Sequence, residues 1–533
     1  MWRSVLTPAG RSGDRTSLLS ASTWRGAGTL RPLPSLESVA MKVLVALEST
    51  ARWAYHESTI EALCRNGDSV RVLFGKEARV SPFNRVVERL SEQGGVDVEL
   101  GWLTRRSDRW GRIALPARAL RSYSSYLRDT EQSDYYRRRW ADRLEGPLQR
   151  TARLSFVRRL LAMHPVFRGL GALERRIPPA NEIVRELVHE RPDVVVASPA
   201  NKKNSAEIEY VKAARRLGIP SVVPVLSWDN LTTKGLIHAV PDVTLVWNET
   251  QRSEAMRIHG IPSERVAVTG APFFDPWFQD SVSIESREAF CARVGLDPEE
   301  PFAVYLGSSH NIARDETWLV RALARELREA ADPRLRSLQL LVRPHPANAL
   351  VHGELEEPNV VVWPKAGRLP DSESSRQEFR ATLGHAVGAI GINTSGMIDA
   401  VIADRPCVAL MVPEYDETQR NAVHFKYLVQ ANTLELADGP SSCVDVLLTL
   451  MRGIDSTRDA RRRFVESFVR PRGRGVPAGA LAARAIALAA QGVPGNMIDE
   501  RLVEAARDPA SGSRSSAAVA DATRVAPGPS QTP

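Results

Sequence analysis

Short, nearly unbroken apolar runs, each followed by a stretch of helical periodicity, constrain this chain more than any other feature. Runs of that length that do not alternate with polar residues are buried on both faces, which is the condition of a parallel sheet covered by its own crossover helices. The first unit is residues 43–47, a helix with Ile60, Leu63 and Cys64 on one face ending at Gly67, and residues 70–74. Further runs follow at 194–196, 222–226, 243–247 and 266–269, with a helix at 206–217 stopped by Gly218 and another ending at His259-Gly260. After Asp275-Pro276-Trp277 the pattern restarts, with runs at 302–306, 338–342, 360–363, 389–391 and 407–411, and helices at 318–327 and from Met397. The fold class is therefore α/β, with two doubly wound sheets in series whose ligand-binding strand ends face each other across a cleft.

At 533 residues there is room for two or three domains, and 43% hydrophobic with 25% charged residues excludes a fibrous or wholly disordered chain. Residues 1–40 are rich in Ser, Arg, Pro and Gly and read as a disordered extension, with Met41 as the expected true start and an Arg-rich targeting peptide as the alternative. The domains read as 41–275, carrying a helical insert at 101–180, and 276–475, followed by a C-terminal helix at 476–500 and a disordered tail at 501–533. Cys64, Cys291, Cys407 and Cys443 are scattered without a C-x-x-C pair, so neither a disulfide framework nor a zinc site is expected. No apolar run reaches the roughly 18 residues of a membrane span, so the expected location is cytoplasmic, with any membrane contact peripheral.

The net charge of +8 is carried by one segment. Between Gly101 and Arg176 stand eighteen arginines and no lysine against seven acids. Such concentration argues for an anion-facing surface and against a nucleic-acid partner. The arginines are interleaved with Trp110, Tyr123, Tyr126, Tyr135, Tyr136, Trp140, Phe156 and Phe167, while Leu154, Val157, Leu160 and Leu161 recur at helical spacing. Contact of 101–176 with an anionic membrane surface, through a cluster such as Arg137-Arg138-Arg139, is one expectation; solvated or acid-paired arginines on a helical insert are the other.

Five stretches carry chemistry. The run at 389–391 enters Asn393-Thr394-Ser395-Gly396, whose small residues at a helix start let backbone N–H groups approach a phosphate, and Asp399 one turn on can accept from ribose hydroxyls. Arg343-Pro344-His345-Pro346 sets a phosphate-binding Arg and a proton-donating His beyond a buried strand. Gly307-Ser308-Ser309 again places small residues and N–H donors at a strand end. In the first domain, Ser227-Trp228-Asp229-Asn230 offers an aromatic and a carboxylate that can hold a sugar acceptor, with an Asp-Asn turn as the plain alternative. His56 and Glu57 are candidates for the general base, or else polar residues at a helix start.

Pro241-Asp242-Val243, Trp247-Asn248-Glu249, His259-Gly260-Ile261-Pro262, the block Arg265 to Pro272, and Phe274-Asp275 together resemble the GT-B glycosyltransferase superfamily over about residues 41–491. The branch most resembled holds UDP-N-acetylglucosamine 2-epimerases and CDP-glycerol glycerophosphotransferases, and Ser227 to Leu231 with Gly391 to Ser395 resembles uncharacterised bacterial members of it. The resemblance implies two Rossmann-like domains, a nucleotide-diphosphate sugar held by the second, an acceptor in the first, and neither a cofactor nor an obligatory metal. It implies that Thr394, Ser395 and Gly396 meet the diphosphate, Asp399 the ribose and His345 the phosphate. Epimerases carry His-Gly-Asp-Thr where this chain has Ser198-Pro199-Ala200-Asn201, and His-Val-Glu-Ala-Gly where it has the Ser227-Trp228-Asp229-Asn230 stretch, which points away from epimerisation. The glycerophosphotransferase Asp-Tyr-Ser-Ser is replaced by Asn393-Thr394-Ser395-Gly396. The expected activity is sugar transfer to a surface-polysaccharide or lipid-linked acceptor; polyol-phosphate transfer, isomerisation and an inactive scaffold are the alternatives.

Overall fold

The computed structural model describes residues 40–75, 98–279 and 284–507, so the expectations for 1–39 and 508–533 lie outside the described residues. Seven parallel strands form the first sheet: β1 (Lys42–Leu47), β2 (Ser69–Phe74), β3 (Val98–Trp102), β4 (Val194–Ser198), β5 (Ser221–Pro224), β6 (Val243–Val246) and β7 (Val266–Val268), in the order 3-2-1-4-5-6-7. Six more form the second: β8 (Phe302–Leu306), β9 (Gln339–Arg343), β10 (Val360–Val362), β11 (Ala389–Gly391), β12 (Cys407–Leu410) and β13 (Glu435–Ala437), in the order 10-9-8-11-12-13. Central strands β4 and β8 are buried along their whole length, as their unbroken apolar sequences require, and Val43 of β1 pairs with Val70 on one side and Val194 on the other. Edge strands β3 and β13 are the exceptions: Val98-Glu99-Leu100-Gly101-Trp102 is half exposed and Glu435-Leu436-Ala437 is short and partly exposed, so the sequence reading passed over both and began the insert at Gly101. Gly101 and Trp102 belong to the sheet, and the insert's helices run from Gly111 to Arg176.

The chain leaves the first domain through the turn Pro272–Phe278 and later returns to it. Asp275 accepts from the amides of Ala478 (3.0 Å) and Gly479 (2.7 Å) and pairs with Arg470 at 2.8 Å, which fastens the return to the exit. The helix Ala478–Ala490 packs on Trp53–Arg65, burying Leu481, Ala485 and Leu488 in the core of the first sheet. Residues 501–507, expected to be disordered, instead finish the helix Gly495–Arg507, whose Ile498 and Leu502 are buried in the same core.

Candidate functional site

In each sheet the strand order reverses at one point, between β1 and β4 in the first and between β8 and β11 in the second. The segments that follow those four strands supply much of one cleft of about 590 Å³. This is the place where parallel sheets bind ligands, because neighbouring connections there run to opposite faces and leave a crevice. From the second sheet come Ser309, Asn311, His345, Asn393, Thr394, Ser395 and His424; from the first come Arg52, Tyr55, Lys202, Lys203 and the stretch Leu226 to Asn230; the insert adds Tyr136, Arg139 and Arg143.

Thr394 and Ser395 stand where the sequence placed them, at the entrance to the helix Gly396–Ile402. Gly396 is just behind them, its amide directed at the Thr394 hydroxyl (3.4 Å). Ser309 lines the cleft, but Ser308 is fully buried, its amide donating to the Glu316 carboxylate and its carbonyl accepting from Asn348 Nδ2. Gly307 is required by packing: a Cβ there would lie 3.1 Å from the Arg343 carbonyl and 3.2 Å from the His345 amide. His345 lines the cleft, and its Nδ1 accepts from the Ala347 amide (3.1 Å). Burial lowers its pKa, so at neutral pH the ring is neutral with its proton on Nε2, a donor available to an anion.

Two expected ligand contacts of the second domain are turned away. Arg343 is buried, gives Nη1 to Glu378 at 2.9 Å and lies over the Phe379 ring at 4.9 Å, so its charge is spent inside the domain. Asp399 does not line the cleft; it accepts from Trp277 Nε1 at 2.8 Å, and burial raises its carboxyl to about 7. The cause is the same in both: each side chain sits on a face of its strand or helix that packs against another element.

The general-base candidates fare likewise. His56 is buried below Tyr55 in a separate small cavity, bonded to Ser198 Oγ at 3.0 Å, and burial followed by the charge of Arg52 lowers it to about 4. Glu57 pairs across the domains with Arg376 at 2.9 Å, a tether where the sequence reading expected a base. Asp229 does line the cleft, but as a fixed anion. Burial alone raises its carboxyl; Lys234, His424 and the hydroxyls of Ser227 (2.6 Å) and Thr233 (2.7 Å) outweigh this and hold it far below the usual range. Trp228 packs edge-on against His424, ring centroids 4.7 Å apart. Asn230 has its amide occupied, giving to Asn201 Oδ1 (3.1 Å) and accepting from the Leu226 amide (3.3 Å), so it shapes the wall more than it offers contacts.

Sequence reasoning missed Tyr136, Arg139, Arg143, Lys202 and His424. His424 Nδ1 and Asn393 Oδ1 are buried in the cleft wall without a partner among the described protein atoms. Nothing near His424 in the sequence marks it, whereas the four-residue spacing of Arg139, in the last turn of the helix Asp134–Asp142, and Arg143, just past its end, was readable. The consecutive Arg137, Arg138 and Arg139 point three ways: Arg137 pairs with Asp134 (3.0 Å), Arg138 approaches Glu417 (3.7 Å), and Arg139 faces the cleft. The insert also crosses to the second domain, Tyr135 donating its hydroxyl to the Asn311 carbonyl (2.7 Å) and its amide to Glu417 (3.0 Å).

Two parallel α/β domains with a cleft at both reversal points are matched by solved structures. A protein from Listeria monocytogenes assigned as a UDP-N-acetylglucosamine 2-epimerase superposes with a TM-score of 0.52 at 10% identity, covering 86% of this chain and 98% of that one. The fold is GT-B. A UDP-GlcNAc 2-epimerase from Neisseria meningitidis bound to UDP-GlcNAc gives a TM-score of 0.47 at 10% identity (83% and 97% covered), and the calicheamicin glycosyltransferase CalG4 gives 0.42 at 12% identity (87% and 98% covered). No protein-family model and no curated protein matches the chain. In this GT-B chain the helical insert brings Arg139 and Arg143 to the cleft, beside Arg52 from the first sheet.

Proposed function

We propose that this protein is a nucleotide-sugar enzyme, and within that class a glycosyltransferase that moves a sugar from a nucleoside-diphosphate donor to a surface-polysaccharide or lipid-linked acceptor. The observation that carries the reading is the cleft at both reversal points, with the small-residue entrance Thr394-Ser395 and the Nε2–H of His345 on the side where a donor diphosphate would lie. A donor so placed would receive hydrogen bonds from the helix start and from His345 as charge grows on the departing diphosphate, without a metal or cofactor. Transfer is favoured over epimerisation because the His and Asp of the epimerases' His-Gly-Asp-Thr are replaced here by Ser198, bonded to buried His56, and Ala200.

The test is incubation with UDP-, GDP- and CDP-sugars and with CDP-glycerol, with and without a lipid and polysaccharide extract. Acceptor-dependent release of nucleoside diphosphate is expected. A changed sugar configuration without acceptor would make it an epimerase; CMP from CDP-glycerol, a polyol-phosphate transferase; no stabilisation by any nucleotide, a scaffold.

A lipid-linked acceptor is supported by a second surface. No helix among the described residues is long and apolar enough to cross a membrane. On Ser155–Ala162 and the start of the helix His164–Arg176, however, Leu154, Phe156, Leu160 and Met163 are exposed, Phe156 by 68%, beside exposed Arg158, Arg159 and Arg168. Apolar tips within a ring of arginines suit an anionic bilayer. Salt-sensitive sedimentation with phosphatidylglycerol vesicles is expected and should be lost in Phe156→Ser/Leu160→Ser; equal sedimentation with neutral vesicles would remove the membrane from the reading.

A further inference from the structure

Some of the insert's arginines are neutralised within the protein. Arg118 is buried and bridges Glu174 (2.7 Å) and Glu209 (2.6 Å), Arg106 reaches Glu209 (2.8 Å), and Arg153 meets Asp142 (2.7 Å). Arg139 and Arg143 differ. They stand one turn apart at the end of the helix Asp134–Asp142, both line the cleft, and no carboxylate among the described residues lies within ion-pair distance of either. Like charges at that spacing repel, and the protein nevertheless fixes Arg143 beside Arg139: Arg143 lies 4.7 Å over the ring of Trp140, which is fully buried and stacked on Tyr126. The acids of the same cleft are already matched, Glu48 by Lys202 and Asp229 by Lys234. Meanwhile, among the described residues, the wall from the second sheet has no lysine or arginine, so its described donors to an anion are neutral.

We infer that Arg139 and Arg143 form a phosphate clamp that closes over an anionic group in the cleft from the side opposite Thr394 and Ser395. The ligand class is a phosphate ester or diphosphate, since two adjacent guanidinium forks suit a group with several acceptor oxygens. Resting on the proposed nucleotide-sugar activity, the clamp's first source of phosphate is the donor diphosphate; the second is a phosphate on the acceptor. This assigns a role in substrate binding to an insert that the two-sheet fold does not itself need.

Calorimetry with UDP, uridine, pyrophosphate and glycerol 3-phosphate separates the sources, using wild type, Arg139→Gln, Arg143→Gln, the double variant and Arg138→Gln as an exposed control. Each clamp substitution should weaken binding roughly 10- to 100-fold, the size of a lost charge-assisted hydrogen bond. Loss for UDP and pyrophosphate with uridine unchanged supports the donor source; loss for glycerol 3-phosphate alone supports the acceptor source. Unchanged binding of all three phosphate ligands in variants that melt like wild type would overturn the clamp. Arginine-dependent pyrophosphate binding in a protein that binds no nucleotide would keep the clamp and reject the nucleotide-sugar reading. Arg139→Lys/Arg143→Lys should recover part of the affinity, which a purely structural role in packing on Trp140 would not predict.

Discussion

The cleft wall from the second sheet presents Ser309, Asn393, Thr394 and Ser395 with two histidines that burial keeps neutral, while the wall from the first sheet presents Arg52, Arg139, Arg143, Lys202, Lys203 and Lys234 against Glu48 and Asp229. Each wall also has one telling aspartate. Asp229 is held as an anion by Lys234 and two hydroxyls; Asp399, just behind the other wall, is buried against Trp277 with its carboxyl raised to about 7. The contrast teaches a division of labour between two sheets of the same kind. One wall provides geometry through backbone and hydroxyl donors at a helix start, the other provides charge, and a doubly charged diphosphate needs both.

The largest expected effect concerns Asp399. Its ordinary carboxyl value is 3.8, so between about pH 4 and 7 the unfolded chain releases a proton that the folded protein keeps, and stability falls as pH rises through that window. The full difference corresponds to about 4 kcal/mol. Asp399→Asn can still accept from Trp277, so urea unfolding at pH 5 and pH 8 should lose most of that difference while UDP affinity stays the same. A fall in UDP affinity would return Asp399 to the ribose and blur the contrast between the walls.

Next is His345→Ala. Removing one positioned donor to developing negative charge costs roughly 100-fold in turnover, with a smaller change in donor affinity. Steady-state kinetics at saturating donor would read it, and wild-type turnover would show that the neutral wall works without this ring.

The smallest effect is expected of Asp229→Asn, about 1 kcal/mol of stability, because Lys234 loses its counter-charge and one of the two carboxylate oxygens no longer accepts, in a partly exposed site. The carboxyl is depressed in the folded protein, so this contribution is present above its ordinary value of 3.8 and is lost on acidification. Since the change removes an acid from the cationic wall, UDP should bind no more weakly; weaker binding would give Asp229 a direct part in the ligand site.

Most of the strands were legible because burial on both faces leaves a local record in unbroken apolar runs, as in Val194-Val195-Val196 and Phe302 to Leu306. The edge strand β3 was not, since half exposure erases that record. That Thr394, Ser395 and His345 follow strands and reach the cleft was legible because a strand followed by small or rigid residues is a local pattern. Arg343 and Asp399 belong to the same patterns and were misread, because their placement depends on Glu378 and Trp277, elements packed against them from elsewhere in the chain.

By itself, then, the amino-acid sequence determined two parallel α/β sheets in series, a small-residue entrance after β11 and an arginine-rich helical insert, because periodicity, helix starts and charge density are properties of neighbouring residues. Which arginines remain without a carboxylate, which aspartate is charged, and that His424 meets Trp228 across the cleft were decided only by the tertiary structure. Those outcomes depend on burial and on partners as far apart as Glu57 and Arg376, and the energy of a charge is set by what surrounds it in space.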